Sequence, residues 1–103
     1  MKHSIIFEVL AERNRRYILD LLREREHAVG EIVELSGLSQ PGVSKHLRIL
    51  REAGLVKTRQ AGQKRLYGLQ PEPLAEIDHW LEPYRQFWSS KLDALEQFLD
   101  EEE

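Results

Sequence analysis

Gln40, Gly42, Ser44, Lys45, His46 and Arg48 bring amide, hydroxyl, imidazole and cationic groups together on one short run, with no acidic residue before Glu52. Amides and hydroxyls hydrogen-bond to base edges and cations meet phosphates, while glycine and serine let a backbone come close. Most polar stripes are only solvated helix faces. Here the flanking residues argue for more. The run is the outer face of a helix expected over Gln40 to Ala53. Ser39 can cap its start, and Pro41 falls in the first turn, where a missing N–H costs little. Val43, Leu47 and Leu50 line the opposite, apolar face. Gly54 stops the helix and Leu55 folds back on it. Upstream, Gly37 can take a positive φ and end a helix over Val29 to Ser36, with Ile32 and Leu35 inward. Residues 29–53 therefore read as helix, tight turn and a second helix of the kind that enters a DNA major groove.

Two strands are expected next, Val56 to Gln60 and Lys64 to Leu69, joined through Ala61, Gly62 and Gln63. They make a wing over residues 55–69. Its tip carries Gln63, Lys64 and Arg65, which can hold a phosphate backbone or enter the minor groove.

Charge supports this placement. The net charge is −3, yet residues 1–69 hold 13 Lys and Arg against 8 Asp and Glu, whereas residues 70–103 hold 2 against 10. Between Ser39 and Tyr67 stand Lys45, Arg48, Arg51, Lys57, Arg59, Lys64 and Arg65, with Glu52 the one acid. Such a one-signed surface is a footprint for a polyanion.

Residues 4–10 and 72–100 read as helices richer in apolar residues than a small domain needs. Ile5, Ile6, Phe7 and Val9 serve either their own core or a partner. In the last helix Trp80, Tyr84, Phe87, Trp88, Leu92 and Leu95 recur at three- and four-residue spacing. Two copies packed face to face would bury them, so a symmetric homodimer is expected, the alternative being a helix lying on its own domain. Phe7, Trp80, Tyr84 and Trp88 could line a pocket for an organic effector between the first and last helices, although such aromatics are more often plain dimer core. Pro83 is expected to kink or divide the last helix near residues 79–82. Earlier, Asn14 is the expected cap of a helix to Arg23, with Ile18, Leu21 and Leu22 buried. Arg13, Arg15 and Arg16 at its start oppose the helix dipole, and either meet a phosphate or are merely exposed. Residues Glu24 to Ala28 read as a loop in which His27 is solvated.

At 103 residues the chain is one domain, 1–103, mainly α with a small β-hairpin. It has no cysteine, which removes disulfides and thiol chemistry and fits the cytoplasm. No signal peptide and no membrane-spanning apolar run is visible, so no membrane partner is expected. No nucleophile–base pair, phosphate loop or metal cluster stands out. The chain is read as no enzyme, with no cofactor.

The order of elements resembles the ArsR/SmtB family of bacterial winged-helix repressors. LAERNRRYILDLL (Leu10 to Leu22), GLSQPGVSKHLRILREAGLV (Gly37 to Val56) and GQKRLYGL (Gly62 to Leu69) carry the resemblance. It implies a winged helix-turn-helix with a long C-terminal dimerisation helix. It also implies a homodimer that binds double-stranded operator DNA and represses its own or a neighbouring operon, often under a small-molecule effector. By resemblance Ser39, Gln40, Ser44, His46 and Arg48 are the foremost DNA contacts. One departure matters. Metal-sensing members often carry a cysteine pair in the first motif helix, where this chain has Ala28, Val29, Gly30 and Glu31. A second type of site uses His and carboxylates on the last helix. Asp78 and His79 are sequence neighbours and diverge by about 100° there; zinc would need His3 or Asp93 besides. No metal site is expected. A protein-interaction module without DNA binding is the rival reading.

Overall fold

The computed structural model describes residues 5–101. The order is α1 (Ile5–Leu10), α2 (Arg13–Glu24), β1 (His27–Ala28), α3 (Val29–Ser36), α4 (Gln40–Glu52), β2 (Val56–Ala61) and β3 (Lys64–Leu69). A 3-10 turn at Glu72–Leu74 then leads into α5 (Ala75–Glu101). The expectations for Ser4 and His3 fall outside the described residues.

The helix-turn-helix forms as its local signals dictate. Gly37 takes φ 73° and its N–H donates to the Val33 carbonyl at 3.0 Å, which closes α3. Ser39 Oγ accepts the Gly42 N–H at 3.1 Å, capping α4. At the other end Gly54 takes φ 79° and the Leu55 N–H donates to the Leu50 carbonyl at 3.0 Å. This six-to-one bond drives Leu55 into the core. Val43, Leu47 and Leu50 of α4 pack there with Ile18, Leu19 and Leu22 of α2, Ile32 of α3, Ile6 and Val9 of α1, and Val56.

The sheet has three strands in the order β1-β3-β2, all antiparallel. Ala61 pairs with Lys64, leaving Gly62 and Gln63 as a two-residue turn. Gly62 takes φ 65°, a sign that glycine supplies without strain.

Several expectations are corrected. The cap of α2 is Glu12, whose side chain accepts the Arg15 N–H at 3.2 Å, rather than Asn14. Leu19, not Leu21, completes the buried stripe of α2. Leu35 lies at the end of a helix of only eight residues and is half exposed. The loop holding His27 is instead β1, with His27 opposite Tyr67, and the imidazole is buried. Pro83 does not divide the last helix, which runs unbroken over Ala75–Glu101. Its missing N–H frees the carbonyl of exposed His79, which water can serve.

Glu31 holds the start of α3. Its Oε1 accepts the Ala28 N–H at 3.1 Å and its Oε2 accepts Arg25 at 2.9 Å. Ala28 has no side-chain acceptor, so only the glutamate half of a capping box is made. The Ala28 N–H foremost, and then Arg25, lower the Glu31 carboxyl to about 2. A folded-state value below the unfolded one gives stability that is present above the ordinary carboxylate range and lost as pH falls toward the lowered value. Thermal melts should therefore drop between about pH 5 and pH 2. Glu31→Gln is expected to lower Tm at pH 7 and flatten that drop. An equally steep drop in the variant would remove Glu31 from the acid response.

Candidate nucleic-acid interface

The helix-turn-helix and the wing together present one basic surface. On α4, Gln40, Ser44, Lys45 and Arg48 are exposed, outside the buried stripe of Val43, Leu47 and Leu50, and so is Glu52 at the last turn. Gly42 lies between them and the cap, and a Cβ there would meet Ser39 Oγ at 3.0 Å. That glycine lets the cap hydroxyl close over the first turn. Ser39 is exposed, but one lone pair of its hydroxyl is committed to the Gly42 N–H, leaving the O–H free to donate. At the wing tip Gln63, Lys64 and Arg65 are exposed.

The cations differ in availability. Among the ion pairs of the described residues none engages Lys45, Arg48, Arg51, Lys57, Lys64 or Arg65. Arg59 is committed: its guanidinium meets the Glu26 carboxylate at 2.9 Å. The hydrogen bond from Arg59 holds the Glu26 carboxyl below the usual carboxylate range, and the pairing raises Arg59 in turn. This bridge reaches from beside β1 to β2 across β3, over Gly68, where a Cβ would meet Glu26 Cγ at 3.3 Å. It ties the wing to the body of the domain.

His46 departs from the expected face. It is half-buried, with Nε2 3.8 Å from Glu12 Oε2 and Nδ1 enclosed without a hydrogen-bond partner. It points toward the start of α2, not outward with Ser44 and Arg48. Glu12 was legible only through its fold partner: a glutamate is an uncommon cap, and its approach to His46 spans 34 positions of sequence.

Two of the three clustered arginines, Arg15 and Arg16, have an internal purpose. Arg15 Nε donates to the Val9 carbonyl at 2.7 Å, and Arg16 donates to the Leu10 carbonyl at 2.6 Å. Both satisfy carbonyls at the end of α1, where a positive charge also suits the helix dipole. A phosphate is not needed to explain them.

Away from the basic surface, α5 has no buried residue. Trp80, Tyr84, Phe87, Trp88, Leu92 and Leu95 are all exposed, and so are Ile5 and Phe7 of α1. Phe7 meets Trp80 edge-on at 5.6 Å, joining the two helices into one apolar face. Ile6 and Val9 are a correction: at 4% and 3% exposure they belong to the subunit's own core. Asp78 pairs with Arg85, and His79 is exposed. No group of three or more His, Cys, Asp or Glu able to hold a metal is found among the described residues. Nor is any helix among them long and apolar enough to cross a membrane.

A capped recognition helix, a basic two-stranded wing and a long terminal helix define the winged helix-turn-helix class. Residues 12–58 match the family described as "Bacterial regulatory protein, arsR family". The HTH-type transcriptional regulator Rv2034 of Mycobacterium tuberculosis is 38% identical over 96 residues, 93% of this chain and 87% of that protein. The transcriptional repressor SdpR of Bacillus subtilis is 33% identical over 76 residues, 74% and 84% of the two chains. A solved homodimeric winged helix-turn-helix DNA-binding domain, Mb0332 from Mycobacterium bovis, superimposes with a TM-score of 0.63 at 30% identity. The match covers 79% of this chain and 75% of that one. The chain belongs to the ArsR family of bacterial regulatory proteins.

Proposed function

We propose that this protein is a homodimeric, sequence-specific DNA-binding repressor of its own or a neighbouring operon, acting in the cytoplasm. The observation that carries the reading is an exposed polar face on α4 whose one acid is Glu52 at its last turn, together with six cations that, among the described residues, make no ion pair across α4, β2 and the wing. Each subunit lays α4 in a major groove, with Gln40, Ser44 and Arg48 at base edges and Lys45 at the backbone. Lys64 and Arg65, with Gln63, hold the phosphates beside it. Half-sites then lie roughly 34 Å apart, or a multiple of that. The apolar face of α5 and α1 is the joint between subunits, since a patch of this size on a lone domain marks an interaction site. Repression follows from occupying a promoter. An organic effector that binds against Trp80 and Phe7 would act by altering that joint.

Duplex binding across a salt series tests this, comparing DNA upstream of the protein's own gene with random DNA. Preferential binding that weakens steeply with salt is expected, because each phosphate contact releases counterions. Absence of duplex binding at low salt would overturn the reading and favour a protein-interaction module.

A further inference from the structure

His46 stands on the recognition helix yet turns away from the face that reads DNA. We propose that His46 is a positioning residue: through Nε2 it pegs α4 to the Glu12 carboxylate at the start of α2. The peg fixes the roll at which Gln40, Ser44, Lys45 and Arg48 are presented. This rests on the DNA-binding reading above.

The apolar stripe of α4 decides which side faces the core, but aliphatic contacts are tolerant of small rotations about the helix axis. A directional polar contact removes that freedom. Two details identify His46 as the contact. Its Nδ1 is buried with no partner, so the ring's proton belongs on Nε2. Nε2 in turn faces Glu12 Oε2 at 3.8 Å, a polar contact longer than a direct hydrogen bond. The acceptor is ready. Burial works to raise the Glu12 carboxyl, but the Asn14 and Arg15 backbone N–H groups, with His46 and Arg15, outweigh it and hold it below the usual range. Glu12 is itself fixed, since it caps α2. The peg therefore joins two helices at a point that neither can move independently.

The test uses the full chain and a duplex enriched from a random pool by the wild-type protein. His46→Leu fills the volume without a donor, whereas His46→Gln keeps a donor at the reach of Nε2. H46L is expected to bind roughly tenfold more weakly, because a roll that is no longer fixed leaves only a fraction of the protein ready to bind. Its Tm should stay within a few degrees of the wild-type value, because the lost contact with Glu12 is offset by the removal of an unpaired buried nitrogen. Its salt slope should be unchanged, because no phosphate contact is lost. H46Q should retain affinity within about twofold. Wild-type affinity in H46L would overturn the proposal, as would a parallel fall in Tm, which assigns His46 to packing alone. A reduced salt slope, or H46Q failing as H46L does, would make His46 a direct DNA contact instead. A wild-type protein that enriches no duplex overturns the DNA reading and the proposal with it.

Discussion

Trp88→Asp is expected to convert a dimer into a monomer and to weaken binding to a two-half-site duplex by about a hundredfold or more. Trp88 is exposed in the single chain, and Phe87, Leu92 and Leu95 beside it are too. A carboxylate in that face must be desolvated twice in a symmetric joint, once from each subunit. The subunit itself should survive. α5 contributes no buried residue to the core, so the mutated position removes nothing that α2, α3 and α4 rest on. The loss in DNA affinity comes from linkage: two tethered recognition helices reach far higher avidity than one. Sedimentation reads the mass, and a duplex carrying a single half-site reads the intrinsic contact. The single-site affinity should be nearly unchanged. A variant that stays dimeric would place the joint elsewhere, and a wild-type monomer would dismiss the joint altogether.

Leu47→Ala and Arg48→Ala should fail in opposite ways, although the residues are neighbours. Leu47 is 1% exposed, at the centre of the α4 stripe. Its truncation leaves a cavity among Ile18, Ile32, Val43 and Leu50 and should cost about 2–5 kcal/mol of stability. Domains of this size have only about 5–15 kcal/mol in total, so a marked fall in Tm is expected. Arg48 is exposed and free of ion pairs among the described residues. R48A should leave Tm within a degree or two while affinity falls by about ten- to a hundredfold. If Arg48 meets a phosphate, the salt slope drops by about one; if it reads guanine, one base position relaxes. Unchanged affinity in R48A would strike it from the interface.

The recognition helix and the wing were legible because their signals are local. Ser39, Pro41, Gly37, Gly54 and Gly62 each act within a few residues, and the structure puts each to the use its chemistry suggests. What sequence could not reveal are pairings between distant segments. β1 is two residues long and exists only because β3 lies beside it. His27 is therefore buried, though Glu24, Arg25 and Glu26 before it are charged. Sequence leaves Arg15 and Arg16 open between a phosphate and plain exposure because the carbonyls they cap belong to a different helix. His46 and Arg59 were read as available for the same reason, their partners Glu12 and Glu26 standing far away in the chain. The exposed face of α5 was visible as periodicity, since large aromatic residues at helical spacing exceed what one small core can enclose.

α1 is only six residues long, yet it is fastened on three sides. Ile6 and Val9 plug into the core, Arg15 and Arg16 grip its last carbonyls, and Phe7 abuts Trp80. It is in effect a bolt between the terminal arm and the head that carries α4. With such a bolt in place the two cannot swivel separately. If α5 forms the joint proposed above, a tilt of the arms there would become an equal tilt of both heads, and the distance between their tips would change as in a pair of callipers. Small rearrangements at such a joint would then be read out as a mismatch with the spacing of the groove rather than as a local melting of the recognition helix.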